Sequence, residues 1–231
     1  MVIFDGTQGV VIQTEVITNG ASLELGMSIE KIGTYQEEET VGTAEATVDW
    51  INAFDVAVRM GVSLVHSSVR EGSKPKSLVY NWLAKMGDEA ASRGITLVLE
   101  THPNLLHNGE VRLETMQAIN HPAVRINFDT GNMSFYTEGA DAVTELKPIA
   151  SYVSSTHLKE HNGKFQDWHF STLGTGVVDF AGVHQVLKEV GYTGPWIIQI
   201  EDRSEADSTE AAVKERMAKS VAHLRSIGYG N

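Results

Sequence analysis

The sequence predicts an α/β fold, a closed (β/α)8 barrel whose first βα unit is missing or irregular, and three observations predict it. Short apolar runs alternate with stretches of helical period across nearly the whole chain, a pattern that specifies parallel strands joined by crossover helices. Glu100, Asp129 and His157 close three successive strand runs and stand 29 and 28 residues apart, near the roughly 31 residues per unit of an eight-fold barrel. No GxGxxG follows an early strand, which weighs against an open dinucleotide-binding sheet.

The elements follow in order. Met1–Phe4 (MVIF) stands too near the next run for an intervening helix. It either closes the barrel as an irregular strand or belongs to a chain that starts about one unit late. The remaining strand runs are Gly9–Val16, Met27–Tyr35, Val62–Ser67, Ile95–Thr101, Val124–Asp129, Tyr152–Leu158 and Trp196–Glu201. Ala44–Met60 reads as a helix with Val48, Ile51, Phe54, Val56 and Val58 along one broad side. Ser77–Arg93 spaces Leu78, Trp82, Leu83 and Met86 by one to four and stops at Gly94, and Ala211–Ile227 stops at Gly228. No linker or low-complexity tract divides residues 1–231, so one domain is expected.

Composition narrows the function classes. The chain has 231 residues, 42% hydrophobic and 21% charged, enough for a sizeable core. With no cysteine, disulfides and thiolate metal sites are excluded. The net charge of −12 argues against a nucleic-acid partner, which rewards a basic face. No run of 18 apolar residues and no signal-peptide pattern appears, so a cytoplasmic protein without membrane contact is expected.

Barrel enzymes carry their chemistry at the C-terminal ends of strands. LVLETHPN ends in Glu100, with His102 two residues on, and INFDTGN ends in Asp129 followed by Asn132. SSTHLKEH supplies His157 and Lys159, and WIIQIED supplies Gln199 and Glu201. Each acid taken alone reads as well as the N-cap of the next helix, and a lone strand histidine as a structural residue. Four consecutive strands ending this way form an oxygen-rich set with a single imidazole. Such a set suits one divalent ion, Mn²⁺, Mg²⁺ or Co²⁺ before Zn²⁺.

In order and spacing, LVLETHP, INFDTGN, THLKEH, LGTGVVDF and GYTGPWIIQIE resemble the xylose isomerase-like barrel superfamily of sugar phosphate isomerases and epimerases. The resemblance runs from about Gly9 to the C-terminus. It implies that Glu100, Asp129 and His157 bind a metal, with a fourth ligand from the last strand. There this chain departs from the pattern, with Gln199 at the glutamate position and Glu201 two residues beyond. The resemblance implies proton abstraction α to a carbonyl of a small keto-sugar, cyclitol or hydroxy-keto acid, through an enediolate. Glu100 would be the base, Lys159 would steady the enediolate, and Glu201 is a candidate for further acid–base work. Because glutamine cannot act as a base, a two-carboxylate mechanism is in question, and Glu100 would work alone or with His102, Lys159 or His169.

His66, His102, Asn132 and His169 are candidates for holding substrate, and Trp168, Phe170 and Tyr136 for walling its pocket. Three rival activities share these residues: a related lyase or dehydratase, an endonuclease IV-like nuclease, and a non-catalytic paralogue. The nuclease is suggested by His66 and by Asp167-Trp168-His169, and opposed by Asn132 where a histidine is needed. An incomplete first unit would also leave a seam that a second copy of the chain could cover, so a homo-oligomer is possible.

Overall fold

The computed structural model describes residues 2–3, 11–19, 22–31, 42–69, 71–201 and 209–230, with side chains from residue 42 onward except at residues 45 and 210. They group into two compact units. The first draws on Met1–Glu15, Gly26–Leu106 and Val111–Asn127, the second on Val16–Leu25, His107–Glu110 and Phe128–Asn231.

In the first unit the short β1 (Val2–Ile3) pairs antiparallel with β2 (Val11–Asn19), setting Val2 opposite Gln13. The parallel pattern begins with β3 (Ser22–Lys31), which sets Ile29 beside Val65 of β4 (Leu64–Ser67). β4 continues in parallel to β5 (Thr96–Leu99), and β5 to β6 (Val124–Asp129), which sets Leu97 beside Val124. The N-terminal strands thus give the irregular first unit expected from the sequence its form, an antiparallel pair in place of a strand–helix repeat. Only residues 20 and 21 separate β2 from β3, far fewer than the dozen or so a parallel crossover requires. The remainder of the expected strands, residues 9–10 and 32–35, lies outside the described residues.

Helix α1 (Ala44–Met60) starts where the Thr43 hydroxyl accepts from the Ala46 N–H and ends at Gly61, whose φ of 71° suits a residue without Cβ. Its buried stripe is Ala46, Trp50, Ala53, Phe54 and Ala57, while Val48 and Val58 face solvent. That corrects the apolar side expected from the valines. The alanines recur at the same period and let the helix lie close to its neighbours. Trp50 meets Trp82 of α2 (Lys76–Ala91) edge to face at 4.8 Å, and the Trp82 indole N–H donates to Thr47 Oγ1. Leu83 and Met86 of α2 are buried, and Leu78 is exposed. Helix α3 (Gly109–Ile119) leads to β6.

The second unit contains α4 (Thr130–Tyr136), α5 (Ala142–Leu146), a 3₁₀ turn at Lys147–Tyr152, β7 (Val153–Lys159), α6 (Phe180–Glu189), β8 (Trp196–Gln199) and α7 (Glu210–Ser226). β7 and β8 are parallel, with His157 beside Ile197 and Lys159 beside Gln199, and β2 joins β8 antiparallel at Ile17 and Ile197. Leu158, Leu173, Phe180, Ile198, Leu224 and Tyr229 make its core. The Tyr229 hydroxyl donates to the Phe180 carbonyl at 2.8 Å. Among the described residues, no helix is long and apolar enough to cross a membrane.

Candidate active site

In the first unit the chemistry gathers on Glu100, directly after β5. Its side chain is buried and its position is fixed from three sides. The Thr101 N–H donates to Oε1 at 2.6 Å, Asn127 Nδ2 donates to Oε2 at 3.1 Å, and His66 Nε2 lies 2.7 Å from Oε2. His66 comes from β4 and Asn127 from β6, the two neighbours of β5. Asn127 was not among the residues singled out from sequence, although it stands two before Asp129 and so shares its face of the strand. Behind Thr101, the buried Arg112 donates to the Thr101 hydroxyl and to the Leu106 carbonyl, which ties down the loop after Glu100. β5 ends at Leu99, so strand alternation does not carry as far as His102. That residue lies in the following turn, where its carbonyl accepts from the Leu106 N–H.

In the second unit the four residues Asp129-Thr130-Gly131-Asn132 build the setting of Lys159. Asp129 Oδ1 caps α4 by accepting from the N–H groups of Gly131 and Asn132 at 3.0 and 2.9 Å. Its other oxygen, Oδ2, lies 3.7 Å from both His157 Nδ1 and Lys159 Nζ. One carboxylate therefore caps a helix and faces the His157 and Lys159 side chains together. Thr130 Oγ1 accepts from the Lys159 N–H and donates to the Lys159 carbonyl, stitching α4 to β7. At Gly131 a Cβ would press on Lys159 Cγ at 2.9 Å, so only glycine allows this approach. Asn132 Oδ1 accepts from Lys159 Nζ at 3.2 Å.

Lys159 is almost wholly buried, a costly place for a charge unless it is paired. Glu201 Oε2 supplies the closest partner at 2.7 Å, and the ammonium also lies 3.9 Å from the centre of the Phe170 ring. Glu201 Oε1 accepts from Gln199 Nε2 at 2.9 Å. Both Glu201 oxygens are thus engaged, whereas the buried Gln199 Oε1 has no hydrogen-bond partner among the described residues. An acceptor left this way is costly without a ligand. An uncharged amide oxygen is a donor of the kind that joins carboxylate and imidazole groups around a divalent cation. His66 and Glu100 are likewise buried residues of metal-ligating type.

The loop after β7 carries two groups that sequence reasoning passed over. Glu160 is fully buried and its carboxylate accepts three backbone N–H bonds, from His161, Gly174 and Val178. It pins the LGTG turn to the end of β7, and Gly176 packs so closely on Glu160 and His161 that a side chain there would collide. His161 is also buried. Its Nδ1 lies 2.7 Å from Ser134 Oγ and accepts from the Gly163 N–H, and its Nε2–H donates to the Asp167 carbonyl. The Asp167 carboxylate accepts from Asn162, and the His169 N–H donates to the Asp167 carbonyl, so this run is bound mainly within its own loop.

Burial pushes the His161 imidazole below its ordinary value, with Lys159 and His169 acting in the same direction and Asp167 opposing. The unfolded chain takes up this proton near pH 6.5 and the folded one only at lower pH. The stabilisation is therefore complete above about pH 6.5 and declines as the pH falls below it. Urea denaturation should show wild type losing more stability between pH 7.5 and 5.5 than His161→Asn. Parallel losses in the two proteins would refute this assignment.

A sequence profile of the xylose isomerase-like TIM barrel family matches residues 21–227. Among characterised proteins, a ketose 3-epimerase of Arthrobacter globiformis is 26% identical over 78% of this chain and 63% of its own length. The L-ribulose-5-phosphate 3-epimerase UlaE of Salmonella typhi is 31% identical over 57% of this chain and 48% of its own. An inosose dehydratase of Erwinia tasmaniensis is 28% identical over 59% and 51%. The chain thus spans about half to two thirds of the length of these relatives. Two solved structures share the fold at a TM-score of 0.67. They are a xylose isomerase domain protein of Planctomyces limnophilus, 24% identical with 86% of this chain and 70% of that one covered, and a D-psicose 3-epimerase of Clostridium cellulolyticum with D-tagatose, 13% identical with 83% and 75% covered. The profile match extends over most of the sequence and embraces every strand-end residue described above: the chain belongs to the xylose isomerase-like TIM barrel family.

Proposed function

We propose that this chain is a divalent-metal-dependent sugar epimerase or isomerase, working as a single barrel domain on a small ketose. Glu100, Asp129, His157 and Gln199 would hold one cation, Mn²⁺, Mg²⁺ or Co²⁺ before Zn²⁺. The observation that carries the reading is Lys159, a buried ammonium held beside the strand-end donors Asp129 and Gln199. A fixed cation there suits a reaction that develops negative charge on oxygen. The epimerase relatives support the same class.

A bound divalent cation would polarise the substrate carbonyl and acidify the neighbouring C–H. Glu100 would take that proton. The Thr101 N–H, Asn127 and His66 hold its carboxylate in one orientation. Lys159 would face the enediolate oxygen. Glu201 holds Lys159 in place and leaves the metal to Gln199. Return of the proton to the opposite face gives the epimer, and return to the neighbouring carbon gives the isomer. The inosose dehydratase relative favours a second outcome, in which a β-hydroxyl leaves and water is lost.

The test is proton exchange. Metal-depleted protein is reloaded with Mn²⁺ and incubated with free ketoses in D₂O, and deuterium entry next to the carbonyl is followed by NMR. One metal equivalent per chain together with deuterium in the epimeric product is the expected result. Loss of water in place of epimerisation would identify the dehydratase chemistry. Neither metal binding nor exchange would overturn the proposal.

A further inference from the structure

We infer that Trp168 is the residue on which the ketose seats, a stacking platform in the loop after β7. This rests on the ketose reading above and names how the substrate is held. The indole is fixed at several points. Its Nε1–H donates to the Glu201 carbonyl at 3.0 Å, and its ring packs edge to face against Phe135 and Phe170, with centroids 5.7 and 5.1 Å away. Phe170 is itself buried and Phe135 is braced by His161, so the support is rigid. Even so, 36% of Trp168 stays open to solvent, whereas Trp50 and Trp82 are 6% exposed. An aromatic braced in this way and still partly exposed offers the remainder of its surface for contact with a ligand.

The surroundings indicate the class of ligand. The Trp168 ring centre is 6.0 Å from Lys159 Nζ, and the residue bonded to its indole, Glu201, also holds that ammonium. A carbon skeleton resting about 4 Å from the indole can place its oxygens within hydrogen-bond reach of Lys159, roughly 3 Å. An apolar plate beside charged and amide groups matches a sugar, which carries C–H groups on one face and hydroxyls at its edge. The electron-rich ring face favours the electropositive C–H side.

Two variants separate stacking from packing. Trp168→Phe keeps an aromatic face, and Trp168→Leu keeps apolar bulk without one. With Mn²⁺-loaded protein and a panel of free ketopentoses and ketohexoses, Trp168→Phe should hold KM within about threefold of wild type. Trp168→Leu should raise it about five- to tenfold, with a smaller change in kcat. In wild type, added ketose should shield the indole emission from acrylamide, and Trp168→Phe should lose that protection. If wild type turns over a ketose but Leu performs as well as Phe, or no shielding appears, Trp168 is not the platform. If wild type neither turns over nor binds any ketose, the substrate class falls and the platform with it.

Discussion

Glu100→Gln is expected to lower turnover of a ketose by about 10²- to 10⁴-fold, the usual contribution of a positioned general base. The change keeps the size of the side chain and removes its ability to accept a proton. It also has a structural cost that can be anticipated. Glu100 Oε1 faces the Thr101 N–H and Oε2 faces Asn127 Nδ2, so both oxygens now accept from donors. A glutamine has one oxygen, and its NH₂ must point at one of those donors. A stability loss of about 1–3 kcal/mol follows, measurable as a lower urea midpoint. The two effects are separable, because a folded variant can be assayed well below its midpoint. Turnover within tenfold of wild type would show that Glu100 is not the base.

Glu160→Ala is expected to be the most destabilising single change near the site, by about 3–6 kcal/mol. It leaves three backbone N–H groups without their acceptor, those of His161, Gly174 and Val178. Each orphaned buried donor costs about 1–3 kcal/mol, and water entering the vacated space keeps the sum near the lower end. Against a total stability of about 5–15 kcal/mol for an ordinary domain, that is a large fraction. Glu160→Gln retains one accepting oxygen and should fall between wild type and alanine. Urea titrations of the three proteins would decide it, and a loss under 1 kcal/mol in the alanine variant would show that the turn does not depend on this carboxylate.

The two changes differ in how visible they were beforehand. Glu100 stands at the end of an apolar run, and a polar residue there is conspicuous because strand alternation and barrel architecture both direct attention to it. Glu160 follows Lys159 in THLKEH and looks like one more surface charge. Its role depends on Gly174 and Val178, which lie 14 and 18 residues further on and reach it only when the loop folds back. Asn127 lies between these cases. It shares the face of Asp129 and could have been found by counting in twos, yet its use depends on Glu100 arriving from β5. The valines of α1 show the opposite error. Hydrophobicity placed Val48 and Val58 inward, whereas the alanines occupy the buried stripe, since close helix packing favours small side chains.

From the sequence alone came the barrel class and the strand runs that carry Glu100, Asp129, His157 and Gln199 at or near their C-terminal ends. Both follow from local period and from which residue closes a run. Only the tertiary structure decided how those groups are employed. It showed Asp129 using one oxygen as a cap and turning the other toward Lys159, and it gave both oxygens of Glu201 to Lys159 and Gln199, leaving Gln199 Oε1 without a partner among the described residues. It also gave the irregular first unit its form, as antiparallel strands. The physical reason is common to all three. A hydrogen bond or a strand pairing is a choice among partners distant in the chain, and no periodicity within a segment records which partner that segment will meet.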